Sequence, residues 1–161
     1  MAKLTPNFSD AEFIVSKNYP ALAAKIRITE TDTLRLKLMS ESLLQPIRNE
    51  WRDPMAILSG IRSLELNEAV RGSKSSDHLH AIACDWTSKN LFQKFMWAYH
   101  NKLPYRQLIF YPDQNFIHCS INIPGRLFKT EAFVKYASSP DYLPYTGGQL
   151  PPKPIKGDHH V

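Results

Sequence analysis

Leu36, Met39, Leu43, Leu44, Ile47 and Trp51 recur at steps of three, four and seven, the pattern that most restricts how this chain can fold. Such spacing places all six on one face of a long α-helix. A helix with a single apolar face has to lie on another hydrophobic surface, so the rest of the chain must supply one. Thr29 and Asp32 give a start signal ahead of the stripe. Pro46 falls inside it and is expected to kink the helix one turn before its end.

The partner surface is read from shorter segments. Residues 55–59, 81–86, 107–111 and 116–123 read as strands, with turn chemistry in Pro112, Asp113, Gln114 and Asn115 joining the last two as a hairpin. In the second, Ile82, Cys84 and Trp86 alternate against Ala83 and Asp85. In the fourth, Ile117, Cys119 and Ile121 alternate against Phe116, His118 and Ser120. Leu91, Phe92, Phe95, Met96 and Tyr99 predict an amphipathic helix over 87–99. Shorter helices are expected at 64–70 and at 9–17, the latter opened by the capping box Ser9-x-x-Glu12.

A chain of 161 residues suits one domain with a real core. The domain is expected over 1–137. Beyond it Pro140, Pro144, Pro151, Pro152 and Pro154 alternate with Gly147, Gly148 and Gly157, so 138–161 reads as an extended or disordered tail. It carries His159 and His160, which are expected to contribute nothing to a site. No apolar run reaches 18 residues, so no membrane span is expected. The first residues lack the apolar stretch of a secretory signal, and none is expected. The net charge of +5 is dispersed, without the basic stripe that marks nucleic-acid binding. It would favour approach to a polyanionic surface such as a bacterial wall. Cys84 and Cys119 lie in no C-x-x-C arrangement and are expected as reduced, half-buried thiols.

One spacing points toward chemistry. His78 and Asp85 are seven apart, which does not suit one face of a helix but does suit a loop residue followed by one on the ensuing strand. His118 projects from another strand on the polar side. Two histidines and a carboxylate are a zinc-ligand set, and catalytic zinc sites keep a fourth position open. His80, two residues from His78, is left out because both would not readily reach one ion from one strand. Spacing alone leaves a second reading open, in which these are ordinary surface or hydrogen-bonded side chains.

A wider set of anchors carries a resemblance. Ser59-Gly60-Ile61-Arg62-Ser63, Leu66-Asn67, Gly72, Ser76-x-His78-x6-Asp85 and Phe116-Ile117-His118-Cys119-Ser120, all in order, resemble the zinc D-alanyl-D-alanine carboxypeptidases, which share a fold with the hedgehog signalling domain. Asn7-Phe8-Ser9-x-x-Glu12-Phe13 resembles the start of the phage-associated branch. The resemblance implies an α+β fold: a small, mainly antiparallel sheet flanked by helices. It implies zinc held by His78, Asp85 and His118. It gives Arg62 a substrate carboxylate or a developing oxyanion to pair with, and Ser76 a hydrogen bond within its loop or to substrate. Gly60 and Gly72 are backbone requirements.

The sequence departs from the family pattern in three places. Ala81 stands where the family usually has Gly, and Ile61 where it has an aromatic residue. The general base is the third. Asn115 and Tyr111 occupy the positions where relatives carry the acid, which leaves Asp113 as the hairpin's acid and the expected base. The reading is a zinc metallopeptidase acting on peptidoglycan stem peptides, as carboxypeptidase or endopeptidase. The alternative is a zinc-bearing structural or wall-binding module, such as a virion component, that has lost catalysis. The expected partners are peptidoglycan peptides and, in a phage particle, other virion proteins; the expected place of action is the bacterial wall or that particle.

Overall fold

A computed structural model describes residues 1–155; His159 and His160 lie outside the described residues. The long apolar stripe is one continuous helical rod in three parts. Helix α2 (Glu30–Met39) runs into a π-helical turn (Ser40–Leu44) and on into α3 (Gln45–Trp51). Thr29 caps it in a box with Asp32. Five of the six stripe residues, Leu36, Met39, Leu43, Leu44 and Ile47, are buried. A π turn stands directly ahead of Pro46, where a kink was expected. A proline ring meets the carbonyl four residues back and donates no hydrogen bond. The chain adds one residue to the turn ahead of it, so that the Gln45 N–H reaches the Ser40 carbonyl.

The class is α+β, and the sheet is larger and more mixed than expected. Its six strands are β3 (Ala56–Ser59), β4 (Ala83–Thr87), β5 (Tyr105–Tyr111), β6 (Phe116–Ile121), β7 (Glu131–Val134) and β8 (Leu143–Pro144), in the order β3-β4-β6-β5-β7-β8. All pairs are antiparallel except β5 with β7. A separate hairpin joins β1 (Lys3–Thr5) to β2 (Phe8–Ser9). The helix expected at 9–17 is only a 3-10 turn, Asp10–Phe13, although its capping box forms. Helices α1 (Pro20–Ala24), α4 (Leu64–Ala69) and α5 (Leu91–His100) complete the set.

The two faces of the sheet have different fates. On one, Cys84, Trp86, Leu108, Phe110, Ile117 and Cys119 are buried beneath α5, whose Phe95 lies 5.8 Å from the Phe110 ring. On the other, alternate residues of four adjacent strands, Asp85, His118, Gln107, Ile109 and Phe133 among them, line an open cleft of about 760 Å³. Strand period two produces this division. Cys84 and Cys119 are register partners with their sulfurs 3.7 Å apart, so the thiols are fully buried rather than half-buried, and free.

The boundary at residue 137 does not mark the end of the packed structure. Phe133 and Val134 pair with Pro144 and Leu143. Tyr145 inserts into the core, 4.8 Å from Phe95 and 4.9 Å from Tyr99 between ring centroids. Isolated large apolar residues between prolines give no periodic signal, which hid this contribution.

Candidate metal centre

The cross-strand register does most of the assembly. Asp85 on β4 and His118 on β6 are direct partners in the antiparallel ladder, so they project side by side on the cleft face. A slip of one residue between the two strands would put these side chains on opposite faces. His78 arrives from a different element, the 3-10 turn Asp77–His80 that precedes β4. Ser76 caps that turn, its Oγ accepting from the His78 N–H at 3.3 Å. Ser76 also lines the cleft, so the hydrogen bond within its loop is made while its other face stays accessible to a ligand. Ala81, the residue that closes the turn, has a φ of 56°. That left-handed conformation explains why glycine suits the position, and it delays the start of β4 to Ala83.

Three donors converge. Asp85 Oδ1 lies 2.8 Å from His118 Nδ1 and 3.4 Å from His78 Nε2, and the two imidazole rings sit 5.2 Å apart. All three ligand atoms fall within 4.8 Å of one another, so His78, Asp85 and His118 are placed to hold one metal ion. The buried His78 has its other nitrogen, Nδ1, 2.7 Å from the Gly60 carbonyl. An N–H donated there leaves the Nε2 lone pair aimed at the cluster, the outer contact typical of ligating histidines. Burial drives the His78 imidazole toward its neutral form against the pull of Asp85. Burial alone would raise the Asp85 carboxyl, but the two histidines outweigh it and hold it well below the usual carboxylate range. A neutral imidazole and an ionised carboxylate are the forms that bind metal. His80 is not in the cluster.

Arg62 stands at the same point. Its Nη2 is 3.7 Å from Asp85 Oδ2, and Asn67 Oδ1 and Ser59 Oγ lie 3.4 Å from its Nη1 and Nε. Its backbone N–H donates to the His78 carbonyl at 3.0 Å, tying the two segments together. Gly60 and Gly72 do serve the backbone, through space rather than a positive φ. A Cβ on Gly60 would sit 2.3 Å from the Phe13 carbonyl oxygen, and one on Gly72 2.1 Å from Asn67 Oδ1.

Asp113 is not brought to the cleft. Its two oxygens are taken, 3.0 Å each, by the Ala137 N–H and the Lys153 ammonium, and it is absent from the lining while its neighbours Tyr111, Gln114 and Phe116 are present. Among the described residues the carboxylates that line the cleft are Asp85 and Asp77. Asp77 is buried between Arg106 (2.7 Å) and Arg126 (2.8 Å). Tyr111 faces the cleft with its phenol pushed upward by burial, so it is a neutral donor rather than a base.

Sequence reasoning missed the Gly60 carbonyl, the Asp77–Arg106–Arg126 cluster and the cleft residues Phe133 and Tyr142. Asp77 lies beside His78 in the chain, yet its partners are 29 and 49 residues away, and no spacing rule connects them.

A carboxylate and two imidazoles on the open face of a sheet, with a guanidinium in contact, belong to the class of single-ion sites that keep positions free. Residues 7–120, most of the chain, match the family described as Peptidase M15, and the chain belongs to that family. No curated protein matches the chain.

Proposed function

We propose that the protein is a zinc metallopeptidase that hydrolyses peptide bonds in peptidoglycan stem peptides, as a D-alanyl-D-alanine carboxypeptidase or an endopeptidase, at the bacterial wall or as part of a phage particle. The observation that carries this reading is the convergence of His78, Asp85 and His118 at the floor of an open cleft, with Arg62 3.7 Å from the Asp85 carboxylate, in a Peptidase M15 chain. Zinc bound there would polarise the scissile carbonyl and activate a water.

This chain's own residues supply the rest. The Gly60 carbonyl keeps the His78 ring in one tautomer and orientation. Arg62, half withdrawn from solvent and braced by Asn67, presents a charged planar donor to a substrate carboxylate or to the oxygen that gains charge during attack. Tyr111 presents a neutral hydroxyl to the same cleft.

One observation favours a second reading, a metal-holding structural or wall-binding module without turnover. Among the described residues each carboxylate lining the cleft is already engaged, Asp85 with the histidines and Asp77 with two arginines, so none of these is free to take the water proton. Incubating the zinc-loaded protein with purified muropeptides, with mass spectrometry of the products, separates the two. Released D-alanine or cut crosslinks are expected. Absence of product over a zinc-free control, with metal bound stoichiometrically, would replace the peptidase with the binding module.

A further inference from the structure

The cleft extends past the part of the chain that matches the family. Arg126 and Lys129, on the connection from β6 to β7, line it, and residues 122–155 lie outside the match at 7–120. The connection is held to the segment that carries His78. Arg126 Nη2 donates to Asp77 Oδ1 at 2.8 Å and to the Ser75 carbonyl at 2.9 Å, and Arg106 Nε donates to the Leu127 carbonyl at 3.2 Å.

Charge in this part of the cleft is not balanced. Among the described residues four cationic side chains line the cleft, Arg62, Arg106, Arg126 and Lys129, against the two carboxylates Asp77 and Asp85. Asp77 is shared by two guanidiniums and can neutralise one. Lys129 lies 4.0 Å from Glu131 Oε2, a long ion pair, and the same oxygen accepts from Gln107 at 3.1 Å. Arg126 Nε is shielded from solvent and has no hydrogen-bond partner among the described residues. A buried donor of this kind is costly unless a ligand completes it. A cleft with excess positive charge also concentrates anions.

We infer that Arg126 and Lys129 form a second anion subsite in the cleft, which takes a carboxylate that the substrate carries away from the bond being cut. The inference rests on the peptidase reading and gives it a substrate preference. The ligand is an acidic peptide. In a stem peptide the matching group is the free α-carboxylate of a γ-linked glutamate, and its amide would be the poor ligand.

The test uses the zinc-loaded full chain and two synthetic stem pentapeptides that differ only in that carboxylate, free in one and amidated in the other, followed by titration calorimetry at low and moderate salt. The free acid is expected to bind about tenfold tighter, as hydrogen bonds to a charged partner imply, with the difference shrinking as salt rises. Lys129→Gln and Arg126→Gln should each narrow that gap while retaining the native zinc content. Equal affinity of the native protein for both peptides, or an undiminished gap in both variants, overturns the subsite and leaves the peptidase reading standing. Failure of both peptides to bind overturns the subsite and the peptidase reading together. Lys129 keeps the test decisive should Arg126→Gln disturb the loop, because among the described residues its ammonium donates to no backbone carbonyl, whereas Arg126 holds that of Ser75.

Discussion

His78 shows how much one side chain can be asked to do. One ring nitrogen is 2.7 Å from the Gly60 carbonyl and the other faces Asp85, so the identity of residue 60 reaches the proposed metal through a single hydrogen bond. Gly60→Ala would drive a methyl into the Phe13 backbone and displace that carbonyl. Overpacking of this kind costs about 1–3 kcal/mol, and loss of an outer-shell partner typically costs about 10–100-fold in metal affinity. Urea unfolding and competitive zinc titration should show both. His118→Ala is expected to abolish tight zinc binding, read by the same titration; unchanged affinity would refute its assignment as a ligand. Zinc at 100 times its dissociation constant should stabilise the native chain by about 2.7 kcal/mol. Thermal unfolding with and without a chelator measures that gain, and His118→Ala should show none.

At the scale of elements, legibility follows from where each signal is stored. The α2–α3 rod and the β5–β6 hairpin were readable because their periodicity lies within one run of sequence. The expected site residues on β4 and β6 were readable for the same reason, since alternation set Asp85 and His118 apart from Cys84 and Cys119. What could not be read was the ladder that places residue 85 opposite residue 118, and beyond it the row that continues through Ile109 to Phe133. The resemblance to a family put Asp85 and His118 on one metal without stating a strand pairing, and Phe133 lies beyond the matched region. Asp113 was misplaced because a turn acid looks the same in sequence whether it faces a cleft or, as here, caps the Ala137 N–H. Pro46 marked an irregularity in the helix, but local sequence does not say that it takes the form of a π turn.

For the whole molecule, the proline-rich stretch is part of the fold. Tyr145 is about 5% exposed and closes an aromatic cluster with Phe92, Phe95 and Tyr99. Tyr145→Ala should cost about 3 kcal/mol, the usual range for removing a buried aromatic ring. Truncation after residue 137 should cost more, because it also removes β8 and the Lys153 partner of Asp113. Denaturant melts of the two variants would check the order; a truncated chain as stable as the full one would mean that the stretch is dispensable.

The last strand has a further consequence, for the behaviour of the molecule in a crowded solution. A sheet that ends on a long strand presents free amides and carbonyls to which any passing chain can add itself. Here the outermost strand is two residues long, and one of them is Pro144, which has no amide to offer. At the opposite border Ser16 bridges to Ser59 and occupies the end of β3. The sheet that carries the proposed catalytic floor is thus fenced on both sides against growing into a filament, so the cleft can remain open without the protein becoming sticky along its edges.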